Sequence, residues 1–232
     1  DFNMKNILSR GGIEFIAVFL GLGLSLFVDD SRSMNKAIEE NNITLKRLYD
    51  NLELDSISCE WNYGAHKASA EAGNYVNSWV MSGQPESDSI NINLSRIAIS
   101  TVFLNNSEEY NTLKSSGGMS LIKSEKLISA LHGYYSKVDF VKDLDNDLNS
   151  WSLNQFIPFM SEFCTYYTWL KESNVYKRYY LTFILKKNPP KDKLTFLISH
   201  KGWWSTGQAQ NYEDILNRVT SLRNMIREEL AL

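Results

Sequence analysis

The most apolar segment of the chain lies near its N-terminus. Sixteen residues from Ile13 to Val28 contain a single charged side chain, Glu14, and the pair Asp29-Asp30 follows them. A buried helix of a water-soluble protein would show polar residues at helical period, and a cleaved signal peptide would end in small residues. This segment shows neither feature. The pattern therefore predicts one retained transmembrane helix over residues 13–28.

The charges that flank this segment bear on its orientation. The basic residues balance, with Lys5 and Arg10 before the segment and Arg32 and Lys36 after it. However, the trailing side opens with two aspartates, and long domains cross a membrane largely regardless of charge. We therefore expect a single-pass protein of a bacterial inner membrane. Residues 1–12 would form a short cytoplasmic leader, and residues 29–232 a helical water-soluble domain in the periplasm.

Four residues of the predicted anchor are candidates for helix packing. Glu14 is an acid within an apolar segment, which suggests either a functional contact or an interfacial ion pair with Arg10. Gly21 and Ser25, with Gly23 between them, have a spacing that lets another helix approach closely, although glycine is also ordinary in membrane helices. The predicted partners are the lipid bilayer and other membrane-protein subunits, or a second copy of the chain through this helix.

Beyond the apolar segment, hydrophobic residues recur every three or four positions, which is the period of an α-helix. The pattern breaks at Gly83-Gln84-Pro85 and again at Ser115-Ser116-Gly117-Gly118. It predicts an all-α fold in which the transmembrane helix is followed by an antiparallel helical bundle. The predicted helices cover residues 34–54, 59–79, 88–113, 125–141, 156–170 and 212–230, and the second follows or continues the first.

Local signals refine these boundaries. The pair Gly117-Gly118 suits a chain reversal with positive φ. Ser124 followed by Glu125 is typical of a helix start. The buried face of that helix is predicted to consist of Leu127, Leu131, Tyr134, Tyr135, Val138 and Val141.

The segment from Tyr179 to Leu185 is rich in aromatic and β-prone residues. Helical continuation is the preferred interpretation. The alternative is a short β-hairpin near residues 179–199, in which Leu194 to Ile198 pairs with this segment across the turn at Asn188-Pro189-Pro190.

Charge and cysteine content exclude some functions. The chain has 24 basic and 27 acidic residues and a formal net charge of −3. This balance argues against nucleic acid as a partner, because such binding requires a basic surface. Cys59 and Cys164 fit no zinc-binding spacing, so they are either buried thiols or one disulfide.

No catalytic, metal or cofactor motif emerges from the chain. Asp143-x-Asp145-x-Asp147 resembles the start of a calcium loop, but Leu148 and Asn154 stand where the loop needs glycine and glutamate. We therefore expect a solvated helix face there. None of the histidines follows a glutamate at the offset of a di-iron site. Dinucleotide and nucleophile-elbow fingerprints do not occur either. We predict no catalytic residues, no metal and no cofactor.

The pattern of the chain resembles a family of uncharacterised bacterial single-pass membrane proteins, classed as a domain of unknown function. The resemblance rests on the leading Glu14 of the apolar segment and on two motifs. These are Tyr110-x-x-Leu113-x-Ser115-Ser116-Gly117-Gly118-x-x-Leu121-Ile122 and Leu131-x-x-Tyr134-Tyr135. It implies a membrane location, an all-helical domain and a family turn at Gly117-Gly118. It implies no activity.

These observations favour a non-enzymatic accessory or scaffolding subunit of a bacterial membrane complex. The alternative is a membrane-tethered sensor or a small-molecule or lipid-binding domain. In either case the candidate partner or ligand surface is a set of aromatic residues, which are Tyr166, Trp169, Tyr179, Tyr180, Trp203 and Trp204.

Overall fold

The computed structural model describes residues 4–172 and 177–231, and the side chains of residues 15–169, 171 and 180–231. Six α-helices and one antiparallel β-hairpin account for most of these residues. The helices are α1 (Met4–Met81), α2 (Ile90–Ile97), α3 (Glu108–Ser115), α4 (Glu125–Trp151), α5 (Ile157–Ser161) and α6 (Lys191–Leu230). The strands are β1 (Cys164–Glu172) and β2 (Lys177–Leu185). A 3-10 turn spans Gly118–Leu121, and a π-helical turn spans Ser152–Phe156.

Helix α1 is 78 residues long and is one continuous element. It contains no proline, so nothing in its interior removes a backbone donor or forces a kink. It therefore runs through both predicted domain boundaries and joins the two predicted helices of residues 34–54 and 59–79. The helix ends where Gly83 and Gln84 take positive φ values of 95° and 59°.

The predicted transmembrane helix is overturned by the structure. Among the residues that the structure describes, no helix is both long and apolar enough to cross a membrane. The physical reason is length, because the sixteen apolar residues rise only about 24 Å against a hydrocarbon core of ~30 Å before two aspartates interrupt them. The predictions of a bacterial inner-membrane location, a cytoplasmic N-terminus and a periplasmic domain are corrected with it.

Helices α1 and α6 pack against each other in opposite directions. The Arg227 guanidinium donates a hydrogen bond of 2.9 Å to the Tyr49 hydroxyl, and 28 residues further along α1 the Asn77 amide lies 3.3 Å from the Ser199 hydroxyl. Their backbones come close at Gly73, where an added Cβ would lie 3.6 Å from the Cα of Gly202. The other elements pack against this pair of helices, which we call the spine.

Two hydrophobic cores form along the spine. The first lies between α1, α3, α4 and the C-terminal half of α6, and includes all six residues predicted for the buried face of α4. The second lies between the end of α1, α2, the π-helical turn, α5, the hairpin and the N-terminal half of α6. A layer of buried polar side chains separates them.

Ser124 and Gly117 take the predicted roles, but other predicted boundaries are wrong, and the helix predicted over residues 212–230 begins already at Lys191. Ser124 caps α4, its hydroxyl accepting a 3.2 Å hydrogen bond from the Leu127 amide, and Gly117 takes a φ of 78°. The predicted helix over residues 88–113 is instead two helices of eight residues each, α2 and α3, joined by an extended segment. The backbone of that segment hydrogen-bonds to side chains of α1 and α4: the Leu104 amide donates to the Ser58 hydroxyl, and the Thr101 amide donates to the Asn149 side-chain oxygen.

The preferred interpretation of residues 179–185, helical continuation, is wrong, because the segment is a strand. The alternative of a hairpin is right, but its predicted partner Leu194–Ile198 is wrong. Strand β2 contains the β-prone segment, and it pairs with β1, which was assigned to the helix over residues 156–170. Residues Leu194–Ile198 lie in α6, which begins directly after Pro190. The run Thr165–Thr168 consists of threonines and tyrosines, whose side chains suit a pleated strand.

Cys59 and Cys164 are both buried free thiols.

Candidate functional site

The hairpin is fixed to the body of the protein through α2. The backbone amide of Phe183 donates a 2.9 Å hydrogen bond to the Ser95 hydroxyl, and that of Leu185 donates a 2.9 Å hydrogen bond to the Asn91 side-chain oxygen. Asn91 and Ser95 are four positions apart, so they lie on the same face of α2. Helix α2 thereby covers the outer edge of β2, which would otherwise present unpaired backbone groups.

A groove of about 680 Å³ opens where the hairpin meets α2. Its apolar walls include Ile92 of α2, Leu153 of the π-helical turn, Ile157 of α5 and Leu181 of β2. Ligand sites of 300–1,000 Å³ with mostly apolar linings and a few polar groups are typical of proteins. The π-helical turn is itself a rare element that occurs often beside functional sites.

A pair of stacked aromatic rings forms one side of the groove. Trp169 and Tyr180 are directly opposite in the hairpin register. Their ring centroids are 4.7 Å apart with an interplanar angle of 17°. The indole N–H of Trp169 donates a 3.0 Å hydrogen bond to the Thr182 hydroxyl, which fixes the orientation of the ring. The groove therefore has a rigid aromatic wall.

The charged residues of the groove lie at opposite ends of α2. Arg96 is in the last turn of the helix, and Asp88 precedes its first residue by two positions. Both are exposed, and neither side chain makes an ion pair or hydrogen bond with another described residue. Asp88 also borders a neighbouring polar cleft that contains Lys186 and Lys187. Lys186 and Lys187 therefore lie beside the end of the groove that contains Asp88.

The structure brings together two of the six predicted surface aromatics. Trp169 and Tyr180 line the groove. Tyr166 packs edge-on against Phe183 at 6.3 Å instead. The side chain of Tyr179 lies outside the described residues.

The other two predicted aromatics lie on α6, away from the groove. Trp203 is 73% exposed and meets Trp204 edge-on at 5.6 Å. They form a separate surface. The sequence could not place the two sets of aromatics apart, because it does not reveal how α6 packs relative to the hairpin.

Three of the four residues predicted for helix packing have described side chains, and all three lie on an exposed part of α1. Gly21 and Gly23 have no atom within 4 Å of an added Cβ, and Ser25 is exposed. The side chain of Glu14 lies outside the described residues.

The buried polar layer is the feature that the sequence analysis missed. Its centre is Asp145, which was predicted to lie on a solvated helix face and is 2% exposed. Asp145 accepts hydrogen bonds from Tyr212 and from the Gln208 amide, the latter at 2.7 Å. The His66 Nε2 lies 3.0 Å from the same carboxylate and 3.1 Å from the Thr101 hydroxyl. Since a carboxylate only accepts, Nε2 carries the proton.

The charged groups of this layer interact with neighbouring buried side chains, as in a hydrogen-bond network that stabilises the fold. Burial raises the pKa of Asp145, but the hydrogen bonds from His66 and Tyr212 outweigh this effect and leave the pKa below its usual value. Lys201 is 1% exposed, and its amine donates a 3.2 Å hydrogen bond to Ser152. Burial lowers the pKa of Lys201 to about 8, which the charge of Asp145 only partly opposes.

A second buried carboxylate fixes the extended segment between α2 and α3. Asp55 accepts hydrogen bonds from the Tyr134 hydroxyl at 2.8 Å and from the backbone amide of Asn106 at 2.8 Å. Burial raises its pKa despite these hydrogen bonds. Asp55, Asn62, His66 and Ser69 recur at intervals of seven, four and three residues among buried apolar positions of α1. These polar residues at helical spacing were the sequence signal that could have indicated the buried polar layer.

The described residues contain no group of three or more His, Cys, Asp or Glu side chains that could hold a metal ion. No known protein family, curated protein or solved structure matches the chain. The resemblance to a family of unknown function therefore stays a prediction.

Proposed function

We propose that this chain is a non-catalytic binding protein whose groove between the hairpin and α2 holds an apolar small molecule. The observation that carries this proposal is the groove itself, which combines a volume of about 680 Å³ with a stacked Trp169–Tyr180 wall. Its framework is fixed by hydrogen bonds from β2 to α2. A rigid apolar groove loses little conformational entropy when it binds a ligand.

The arrangement of the titratable groups supports binding rather than catalysis. The cluster of Asp145, His66 and Tyr212 is buried, and its hydrogen bonds run between its own members and their neighbours. A general acid or base must reach the substrate proton within hydrogen-bonding distance. Among the described residues, the titratable ones that line the groove are Asp88, Arg96 and Tyr180, and their side chains make no hydrogen bond or ion pair with one another, so these residues form no acid–base pair.

A neutral fluorescent probe tests the proposal. N-phenyl-1-naphthylamine brightens in apolar surroundings, so we expect saturable fluorescence with the wild-type chain. Leu153→Asp places a charge in the apolar wall and should weaken binding about tenfold. Leu153 is 60% exposed, so this substitution leaves the cores intact.

The matched control is Leu54→Asp, at an α1 position that is 56% exposed and does not line the groove. This variant should bind the probe as the wild type does. The proposal is wrong if the wild type shows no saturable binding or if both variants weaken it equally.

A second candidate, an accessory or scaffolding subunit, is favoured by a different observation. The large apolar side chains of α1 between Phe15 and Val28 are 43% to 70% exposed. Soluble monomers rarely expose continuous apolar patches of this kind. In this candidate function the segment pairs with the same segment of a second copy of the chain, along the small residues Gly21 and Ser25.

Sedimentation equilibrium distinguishes the two functions. Self-pairing predicts a dimer that Leu20→Glu combined with Leu24→Glu converts to a monomer, because both side chains lie on the exposed segment. A monomer at all wild-type concentrations would remove this candidate and leave the groove proposal unaffected.

A further inference from the structure

We infer that the ligand of the groove is an apolar monocarboxylate, such as a medium-chain fatty acid, whose carboxylate binds Arg96. This inference rests on the proposed function, since it names the class of molecule that the same groove takes. The inference follows from which polar side chains of the groove already have hydrogen-bond partners and which have none.

Three polar side chains along the groove already hydrogen-bond within the fold. Asn91 and Ser95 hold the edge of β2, and Thr182 accepts the indole proton of Trp169. The Ser95 hydroxyl is fully used, because it also donates to the Asn91 carbonyl. Asn91 and Thr182 use an oxygen as acceptor and still offer N–H and O–H donors to a ligand. The apolar part of a ligand would lie against them and against Ile92, Leu153 and the aromatic pair.

Arg96 is different because it lines the groove without a partner. Its guanidinium donates no hydrogen bond to, and forms no ion pair with, any other described residue. Guanidinium has five donors in a planar arrangement that matches a carboxylate in two parallel hydrogen bonds. Ser100 lines the same groove and its hydroxyl also makes no hydrogen bond with the described residues. One end of the groove thus presents donors that suit a carboxylate.

The opposite end selects against a second carboxylate. Asp88 lies two residues before the start of α2, whereas Arg96 lies in its last turn. A ligand with a carboxylate at each end would bring one of them towards the Asp88 carboxylate. Asp88 itself lines the groove, whereas Lys186 and Lys187 line only the neighbouring cleft, so Asp88 is the charge that a ligand in the groove meets. Like charges in proximity repel, so the groove favours a molecule with an anionic head and an uncharged tail.

Competition against N-phenyl-1-naphthylamine tests this with three ten-carbon compounds. We expect decanoate to displace the probe at roughly three- to tenfold lower concentration than decan-1-ol, the magnitude being limited because Arg96 is solvent-exposed. Decanedioate should be the weakest of the three. Asp88→Asn should improve decanedioate more than decanoate.

Substitution of the arginine provides the second measurement. Arg96→Gln should remove the preference for decanoate over decan-1-ol while leaving displacement by the alcohol unchanged. Arg32→Gln, at an exposed α1 arginine that does not line the groove, is the matched control and should keep the preference.

The outcomes separate the two proposals. If neither decanoate nor decan-1-ol displaces the probe, the groove is not a binding site for apolar chains and both proposals fail. If decan-1-ol competes as well as decanoate, or if Arg96→Gln weakens both compounds equally, the carboxylate inference is wrong and the binding function stands. A wild-type preference that Arg32→Gln also removes would equally overturn the role of Arg96.

Discussion

The hydroxyl of Tyr212 donates a hydrogen bond to the carboxylate of Asp145, across 67 residues of sequence and between two different helices. Both side chains are fully or almost fully buried, at 0% and 2% exposure. The contact joins α4 to α6 at the level of the chain where the two hydrophobic cores meet. The polar layer therefore links the two hydrophobic cores. The contribution of this hydrogen bond to the free energy of unfolding can be measured.

Asp145→Asn should lower the free energy of unfolding by about 2–4 kcal/mol at neutral pH, because the buried donors of His66, Tyr212 and Gln208 lose a charged acceptor. The pKa of Asp145 is lowered in the folded state, so its contribution is present above the unfolded value of 3.8 and is lost as the pH falls below it. Urea denaturation at pH 7 and pH 3 measures the difference.

Asp143→Asn, at an exposed position two residues earlier on α4, is the control and should change stability little at either pH. A destabilisation by Asp145→Asn that is equally large at pH 3 and pH 7 would contradict the proposed charge dependence.

Lys201→Met should stabilise the protein by about 3 kcal/mol near pH 7, because it replaces a buried ammonium group with an apolar chain of similar length. The folded-state pKa is about 8 and the ordinary value is 10.5, so the unfolded chain binds more protons between these values. The stability of the wild type relative to the variant therefore rises over this range.

Chemical denaturation of both proteins from pH 7 to pH 10.5 tests this relation, with Lys46→Met as the exposed control. The comparison uses the difference between proteins, because burial raises the pKa of the thiols and several tyrosines in the folded state, and these groups titrate in the unfolded chain over the same range. A constant difference across the range would exclude the assigned role of Lys201.

Gly117→Ala should destabilise the protein by about 1–2 kcal/mol, because a φ of 78° places Cβ against the backbone. Thermal unfolding provides the measurement. Gly64→Ala is the matched control, since Gly64 lies inside α1 with open space around it, and it should stabilise by up to about 1 kcal/mol. Equal effects at both glycines would show that the turn does not require the left-handed conformation.

Asn91→Ala should expose the edge of β2 at one residue. The Leu185 amide loses its acceptor, so its hydrogen exchange should accelerate, whereas the Phe183 amide keeps its hydrogen bond to Ser95. Amide exchange followed by NMR compares the two sites in one molecule. Unchanged exchange at Leu185 would mean that α2 does not hold this edge through Asn91.

Local signals in the sequence predicted some elements well. Ser124 identifies the start of α4 because its hydroxyl satisfies a free amide of the first turn, and this requires only residues three positions away. The buried face of α4 follows from periodicity in the same way. The glycine pair predicts a turn because left-handed backbone is costly for other residues.

The groove and the polar layer depend on contacts between distant residues. Tyr180 lies in a β-prone segment for which helical continuation is the preferred prediction, and its partner Trp169 lies in a predicted helix, so the stacked wall was not predictable. Asp145 has the sequence neighbours of a surface acid. Its burial depends on His66 and Tyr212, which lie 79 and 67 residues away and whose approach only the packing of α1 and α6 determines.

The pairing of α1 with α6 also has a kinetic consequence. The hydrogen bond from Cys59 to the Tyr212 carbonyl spans 153 residues, and the one between Arg227 and Tyr49 spans 178. Loop closure over such separations costs entropy before any packing compensates for it. The helices form rapidly by themselves, but the chain should fold more slowly than a helical protein whose contacts are all local.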